Sequence, residues 1–193
     1  MKYLQISLLL GTIFLSSCGI QSLPQNSNKV EAAWAEVMNQ YKRRSDLIQN
    51  LVNTVKGYAS HEKETFQSVI EARALATKTT INADQLNPET LKKFNQAQSG
   101  LAGALSRLMM VSERYPDLKA NQNFRDLQVQ IEGTENRIAI ARRRYIEVVN
   151  IYNNLVTVPP TSWFNDMFWH YKKKPQFTVA NEAEVQEAPK VEF

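Results

Sequence analysis

From Asn121 to Leu155, one stripe of mostly apolar residues recurs on alternating steps of three and four: Phe124, Leu127, Ile131, Thr134, Ile138, Ala141, Tyr145, Val148, Tyr152 and Leu155. A strand cannot use that spacing, because its faces alternate every second residue, whereas a helix gathers the whole stripe on one side. A long helix is therefore expected here. Having one apolar stripe, it must bury that stripe against other helices.

The preceding segment announces its own start with Asn87-Pro88-Glu89. These supply a capping side chain, a pre-set φ at the first helical position and an acid near the positive helix end. Its seam is Leu91, Phe94, Gln98, Leu101, Leu105 and Leu108, and the pair Tyr115-Pro116 should stop it, since the residue before proline is disfavoured in the α region. Further upstream, Trp34, Val37, Tyr41, Ile48, Leu51, Val55 and Tyr58 form one seam, which Phe66, Val69, Ile70 and Ala74 continue with a phase slip after Gly57. A turn at Gly57-Tyr58-Ala59-Ser60 fits this slip better than one bent rod, whose stripe would remain largely uncovered. The expected fold class is all-α, an antiparallel four-helix bundle of long amphipathic helices. The low content of six Gly and seven Pro in 193 residues agrees with long helices rather than many turns.

The N-terminus has a different character. Met1-Lys2-Tyr3 leads into an apolar stretch from Leu4 to Leu15, followed by Ser16-Ser17-Cys18-Gly19. A charge, a short apolar core and small residues before a break point are the parts of a secretory leader, and the core is too short to span a bilayer. The run Leu15-Ser16-Ser17-Cys18 resembles the lipobox of bacterial lipoproteins, which implies lipidation at Cys18 by diacylglycerol and palmitate-type chains. The expectation is a lipid-anchored protein of the cell envelope, on the periplasmic or outer-membrane side where two membranes exist. Domains follow as 1–17 signal peptide, 18–28 lipidated cysteine and flexible tether, 29–158 helical bundle, 159–176 aromatic and basic segment, and 177–193 acidic flexible tail. Within 159–176, the cluster from Trp163 to Trp169 is expected to cap the bundle rather than to lie in a bilayer interface.

Four ordered sets of residues resemble the LemA family of bacterial envelope proteins. They are Asp46-Leu47-Ile48 with Val55-Lys56-Gly57-Tyr58-Ala59, then His61-Glu62, then Glu113-Arg114-Tyr115-Pro116-Asp117-Leu118-Lys119-Ala120. The last is Glu132-Gly133-Thr134-Glu135-Asn136-Arg137-Ile138 with Ala141-Arg142-Arg143-Arg144-Tyr145. The resemblance spans roughly 34–153. It implies an antiparallel helical bundle in the envelope and no established enzymatic activity. Gln49 stands where the family usually has Pro, Ile146 replaces a usual Asn, and the lipobox replaces the uncleaved segment of many relatives.

Function classes can be narrowed by what the pattern lacks. The net charge of +4 falls to +3 without Lys2, and both signs alternate along the chain, so nucleic acid is not an expected partner. One cysteine rules out an intrachain disulfide. Neither histidine, His61 nor His170, has Glu three positions before it, as a di-metal bundle site would require. No cofactor, metal or catalytic residue is expected. His61-Glu62 reads as a polar helix start, and Arg142-Arg143-Arg144 as a solvated face. The expected function is a non-catalytic, membrane-tethered scaffold or protein-interaction module with an envelope protein partner. Its candidate interaction residues are Tyr115, Asp117, Glu135 and Trp163. The alternative is a periplasmic binding module for a small ligand, metal or envelope polymer.

Overall fold

The structure, a computed structural model, describes residues 21–177. Helix α1 spans Ser22–Lys56, α2 Lys63–Lys78, α3 Pro88–Ser112, α4 Pro116–Ala120, α5 Gln122–Thr157 and α6 Thr161–Phe164, and a π-helical turn covers Asn165–Trp169. No strand occurs among the described residues.

Helices α1 and α5, of 35 and 36 residues, are the frame. At about 1.5 Å per residue each runs roughly 50 Å. They pack antiparallel, since Leu23, Val30 and Trp34 near the start of α1 share a core with Tyr145, Val149 and Tyr152 near the end of α5. The α5 stripe begins as the spacing predicts, with Phe124, Ile131, Thr134, Ile138, Ala141, Tyr145 and Tyr152 all buried. Its last turns differ, because Val149 and Val156 are buried while Val148 and Leu155 are half-buried. A straight helix of 3.6 residues per turn drifts about 20° per heptad from a strict three-four seam, and the drift moves the buried position on by one residue.

The caps explain the boundaries. At the start of α3 the Asn87 Oδ1 accepts from the Thr90 N–H at 2.9 Å, while the Asn87 N–H donates to Thr90 Oγ1 at 3.0 Å. At the start of α5 the Asn121 Oδ1 accepts from the Phe124 N–H at 2.9 Å. The chain breaks after Lys56, where the Gly57 N–H turns back to the Thr54 carbonyl and the Tyr58 N–H to that of Val55. Two loops close that end: Asn121 Nδ2 donates to the Tyr58 hydroxyl at 2.8 Å, and Arg114 pairs with Glu62 at 3.0 Å.

Four long helices were expected, and the structure corrects this: six α-helices occur among the described residues, and only α1 and α5 traverse the molecule. Helix α2 has 16 residues, roughly 24 Å, and reaches only part of the way along α1. Its stop is chemical. The Thr79 and Thr80 hydroxyls donate to the carbonyls of Leu75 and Thr77, and Gln85 N–H to Asn82 O makes a turn. Such local side-chain bonds compete with continued helix. Beyond α2, core positions are filled instead by Ile81 and Leu86 from the loop and by Phe177 from the C-terminal segment.

Three further expectations are corrected. Residues 22–28, read as flexible tether, belong to α1, and Leu23 is fully buried. Phe177, assigned to the acidic tail, is a core residue. The aromatic segment caps the bundle only in part: Trp169 packs half-buried against the core around Trp34, whereas Trp163, Met167 and Phe168 are 66%, 71% and 63% exposed.

The structure gives the anchored lipoprotein no support either. Cys18, on which lipidation, the membrane partner and the envelope address rested, lies outside the described residues. Among those described no helix is long and apolar enough to cross a membrane. No observation therefore carries the lipid anchor.

Candidate functional site

Two apolar clusters make up the interior. The first surrounds Trp34 and Tyr145, and the second surrounds Ile48, Leu101 and Leu108. Between them, each of three seams carries a polar residue: Arg44 on α1, Gln98 on α3 and Thr134 on α5. The helices bring these interruptions to one level.

Arg44 organises this layer, although only 3% of it is exposed. Its Nη1 donates to Glu135 Oε1 at 2.6 Å and its Nη2 to Gln98 Oε1 at 2.5 Å, with the guanidinium carbon 5.0 Å from the Tyr41 ring centre. A buried guanidinium is costly unless paired and hydrogen-bonded, which is the role Glu135 and Gln98 fill. One donor is left over: Arg44 Nε is buried with no hydrogen-bond partner among the described residues. Thr134 satisfies itself within α5 by donating to Gln130 O at 2.7 Å. On the α2 side, Arg73 Nε donates to Ser45 O at 2.8 Å.

Two clefts open beside the layer. One, of about 370 Å³, lies toward α2 and is lined by Ser45, Arg73 and Thr77. The other, of about 560 Å³, lies between α1, α3 and α5, where Arg44, Glu135 and Arg142 line it with Tyr41 and Phe177. Arg142 places its guanidinium carbon 4.3 Å from the Phe177 ring centre. Burial pushes the Tyr41 phenol above its ordinary pKa, against the opposing pull of the Arg142 and Arg44 charges. Its hydroxyl is therefore a neutral hydrogen-bonding group near neutral pH. The arrangement can hold an anion or fix helix register, but it contains no nucleophile with a paired base.

The four candidate interaction residues do not form one surface. Tyr115 sits half-buried before α4, its hydroxyl donating to Glu62 Oε1 at 3.3 Å, and Asp117 is exposed in the first turn of that helix. Glu135 lies in the polar layer, and Trp163 is exposed beyond the far end of α5. The length of α5, roughly 54 Å, separates Asp117 from Trp163. His61 and His170 are exposed and likewise at opposite ends. No group of three or more His, Cys, Asp or Glu among the described residues could hold a metal ion.

The seams read along the chain included Gln98 and Thr134 but not Arg44, did not pair Arg44 with Gln98, and left Arg142 on a solvated face. Arg142 is half-buried, unlike the exposed Arg143 and Arg144. A signal for the layer was present in the seams: the step from Tyr41 to Ile48 passes over Arg44 and Ser45, and Gln98 interrupts the leucines of α3. Nothing along the chain pointed to Phe177 as the ring beneath Arg142.

Protein LemA of Metamycoplasma hominis is 27% identical to this chain over 143 residues, covering 74% of the chain and 60% of that relative. The matched part thus spans about 60% of the relative's length. The model of the LemA family matches residues 33–193, which include the polar layer, both clusters apart from Leu23 and Val30, and the C-terminal segment. The chain belongs to the LemA family.

Proposed function

We propose that this protein is a non-catalytic interaction module that docks a partner protein through the apolar end around Trp163. One observation carries this reading: Trp163, Met167 and Phe168 are exposed yet held on a tightly tied platform. Asn165, buried beneath them, accepts from the Tyr171 N–H at 2.9 Å and donates to the Tyr171 carbonyl at 3.0 Å. His170 takes a left-handed φ of 55° and turns the chain back. The following residues are then strapped to α5: the Tyr145 hydroxyl donates to Pro175 O at 2.9 Å, that of Tyr152 to Lys172 O at 3.1 Å, and Asn153 exchanges two bonds with Lys174.

Large exposed apolar groups on a pre-ordered base are the usual anchors of protein interfaces, because little side-chain and backbone freedom remains to be lost on binding. Lys172 and Lys173, exposed beside them, favour a partner whose rim is acidic. The reading is tested by placing a photo-crosslinking residue at Phe168 and, as control, at the equally exposed Val129 on the flank of α5. Position 168 should yield one discrete heterologous adduct that disappears with Trp163→Ala. Adducts of equal number and intensity at both positions would count decisively against it.

A further inference from the structure

The cleft between α1, α3 and α5 has a charge that no described residue answers. Two guanidinium groups line it, those of Arg44 and Arg142, against the single carboxylate of Glu135. Glu135 is already engaged by Arg44 Nη1 at 2.6 Å. Arg142 makes no ion pair among the described residues. The lining therefore carries one net positive charge beside buried apolar surface.

The form of the site is as informative as its charge. Stacking at 4.3 Å on Phe177 holds the Arg142 guanidinium by its face and the Tyr41 hydroxyl engages part of its edge, which leaves the remaining N–H groups as a planar fork suited to a two-oxygen acceptor. Asn95 and Ser99 of α3 also line the cleft, adding an amide and a hydroxyl, and neither side chain has a hydrogen-bond partner among the described residues. Ile138 and Ile146 supply an apolar wall. A single uncompensated charge suits a monoanion better than a phosphate dianion.

We propose that this cleft binds the carboxylate of a small organic acid with an apolar body, gripped bidentately by Arg142, with Asn95 and Ser99 as additional donors. The site is independent of the Trp163 end, so each can fail alone. A docking surface needs no cleft, and a carboxylate pocket needs no exposed aromatic end.

The test uses the full chain and three probes: benzoate, its neutral isostere benzamide, and inorganic phosphate. Amide and side-chain NMR shifts should saturate with benzoate at Asn95, Ser99 and Arg142, with benzamide and phosphate at least about tenfold weaker. Arg142→Gln should weaken benzoate by about tenfold, and Arg142→Lys should weaken it too, because the charge stays while the fork is lost. Asn95→Leu, on a half-exposed position with no packing role in either cluster, guards against a folding artefact and should weaken benzoate several-fold. Absent saturation, phosphate binding as tight as benzoate, or wild-type affinity in both Arg142→Gln and Asn95→Leu would overturn the proposal.

Discussion

The two halves of the interior are built on different plans. Among the described residues, the half around Ile48 and Leu108 is mainly aliphatic, with Phe66 and Phe124 as its buried rings, and its parts come from helices α1 to α5 with the adjoining turns. The half around Trp34 holds six buried rings: Trp34, Tyr41, Phe94, Tyr145, Tyr152 and Phe177. It also lacks any residue of α2, and loop and tail residues take that place. Where a helix is available to close a core, small branched side chains suffice to fill the gap. Where it ends early, large rings and backbone acceptors reached by their polar tips must bridge a wider, less regular space. The Trp34 Nε1 donates to Ile81 O at 2.8 Å, and both Tyr145 and Tyr152 reach carbonyls of the tail. The aromatic half thus depends on contacts distant in sequence, while the aliphatic half depends mostly on its helices.

The most severe way to break this contrast is Trp34→Ala. The indole touches Phe94, Tyr145 and Phe177, with ring centres 5.3 to 5.9 Å apart. Losing those contacts and the bond to Ile81 should cost about 3–5 kcal/mol in urea denaturation. A loss below about 1 kcal/mol would show that the rings do not organise that half.

Phe177→Ala should cost somewhat less, about 3 kcal/mol, but its pattern is more diagnostic. Hydrogen exchange should accelerate in residues 23–41 and 138–156 and remain slow at 101–111, because Phe177 packs only in the aromatic half. Uniform acceleration would mean that the halves unfold as one.

Glu135→Ala probes the boundary between them. It leaves the buried Arg44 guanidinium with Gln98 as its remaining hydrogen-bond acceptor, and should cost about 2 kcal/mol. A fully buried pair would lose about 3–5, but the Glu135 side chain is 46% exposed, so part of its effect is already screened. Arg44→Met, which removes the buried charge along with its need for a partner, should cost less than Glu135→Ala by the same denaturation assay.

The last test is alkali. Burial raises the phenols of Tyr41 and Tyr145, and it pushes Tyr152 up to about 12, with Tyr171 nearby adding to the rise. The folded protein thus retains these protons at a pH where the unfolded chain, near 10, releases them. Their contribution to stability is intact below pH 10 and is lost as pH rises from there through 12. Urea midpoints should fall across this range, and Tyr145→Phe should flatten the fall. Because all three phenols belong to the aromatic half, exchange at 23–41 should respond before exchange at 101–111.

Much of the helical plan could be read along the chain. The stripe of α5, the Asn87-Pro88 start of α3 and the break at Gly57 are local matters, decided by side-chain periodicity, capping atoms and backbone restrictions within a few residues. The site was only partly legible. Glu135 could be singled out as a polar residue on a helix, but its partner Arg44 lies 91 positions away, and no spacing rule connects residues on different helices. Trp163 was recognised as a candidate contact residue, while the expectation that its cluster caps the bundle held only for Trp169, because Asn165 and Tyr171 tie the segment down with Trp163, Met167 and Phe168 left exposed.

By itself, then, the sequence determined an all-helical chain, where its main helices start and stop, and the motifs through which it resembles the LemA family. These follow from short-range geometry and pattern. Tertiary structure alone decided that Ile81, Leu86 and Phe177 would fill the core beyond α2, and that Arg44, Gln98 and Glu135 would meet at one level. Those outcomes depend on how much space the packed helices leave and which distant groups come to share it, quantities that exist only once the chain has closed on itself.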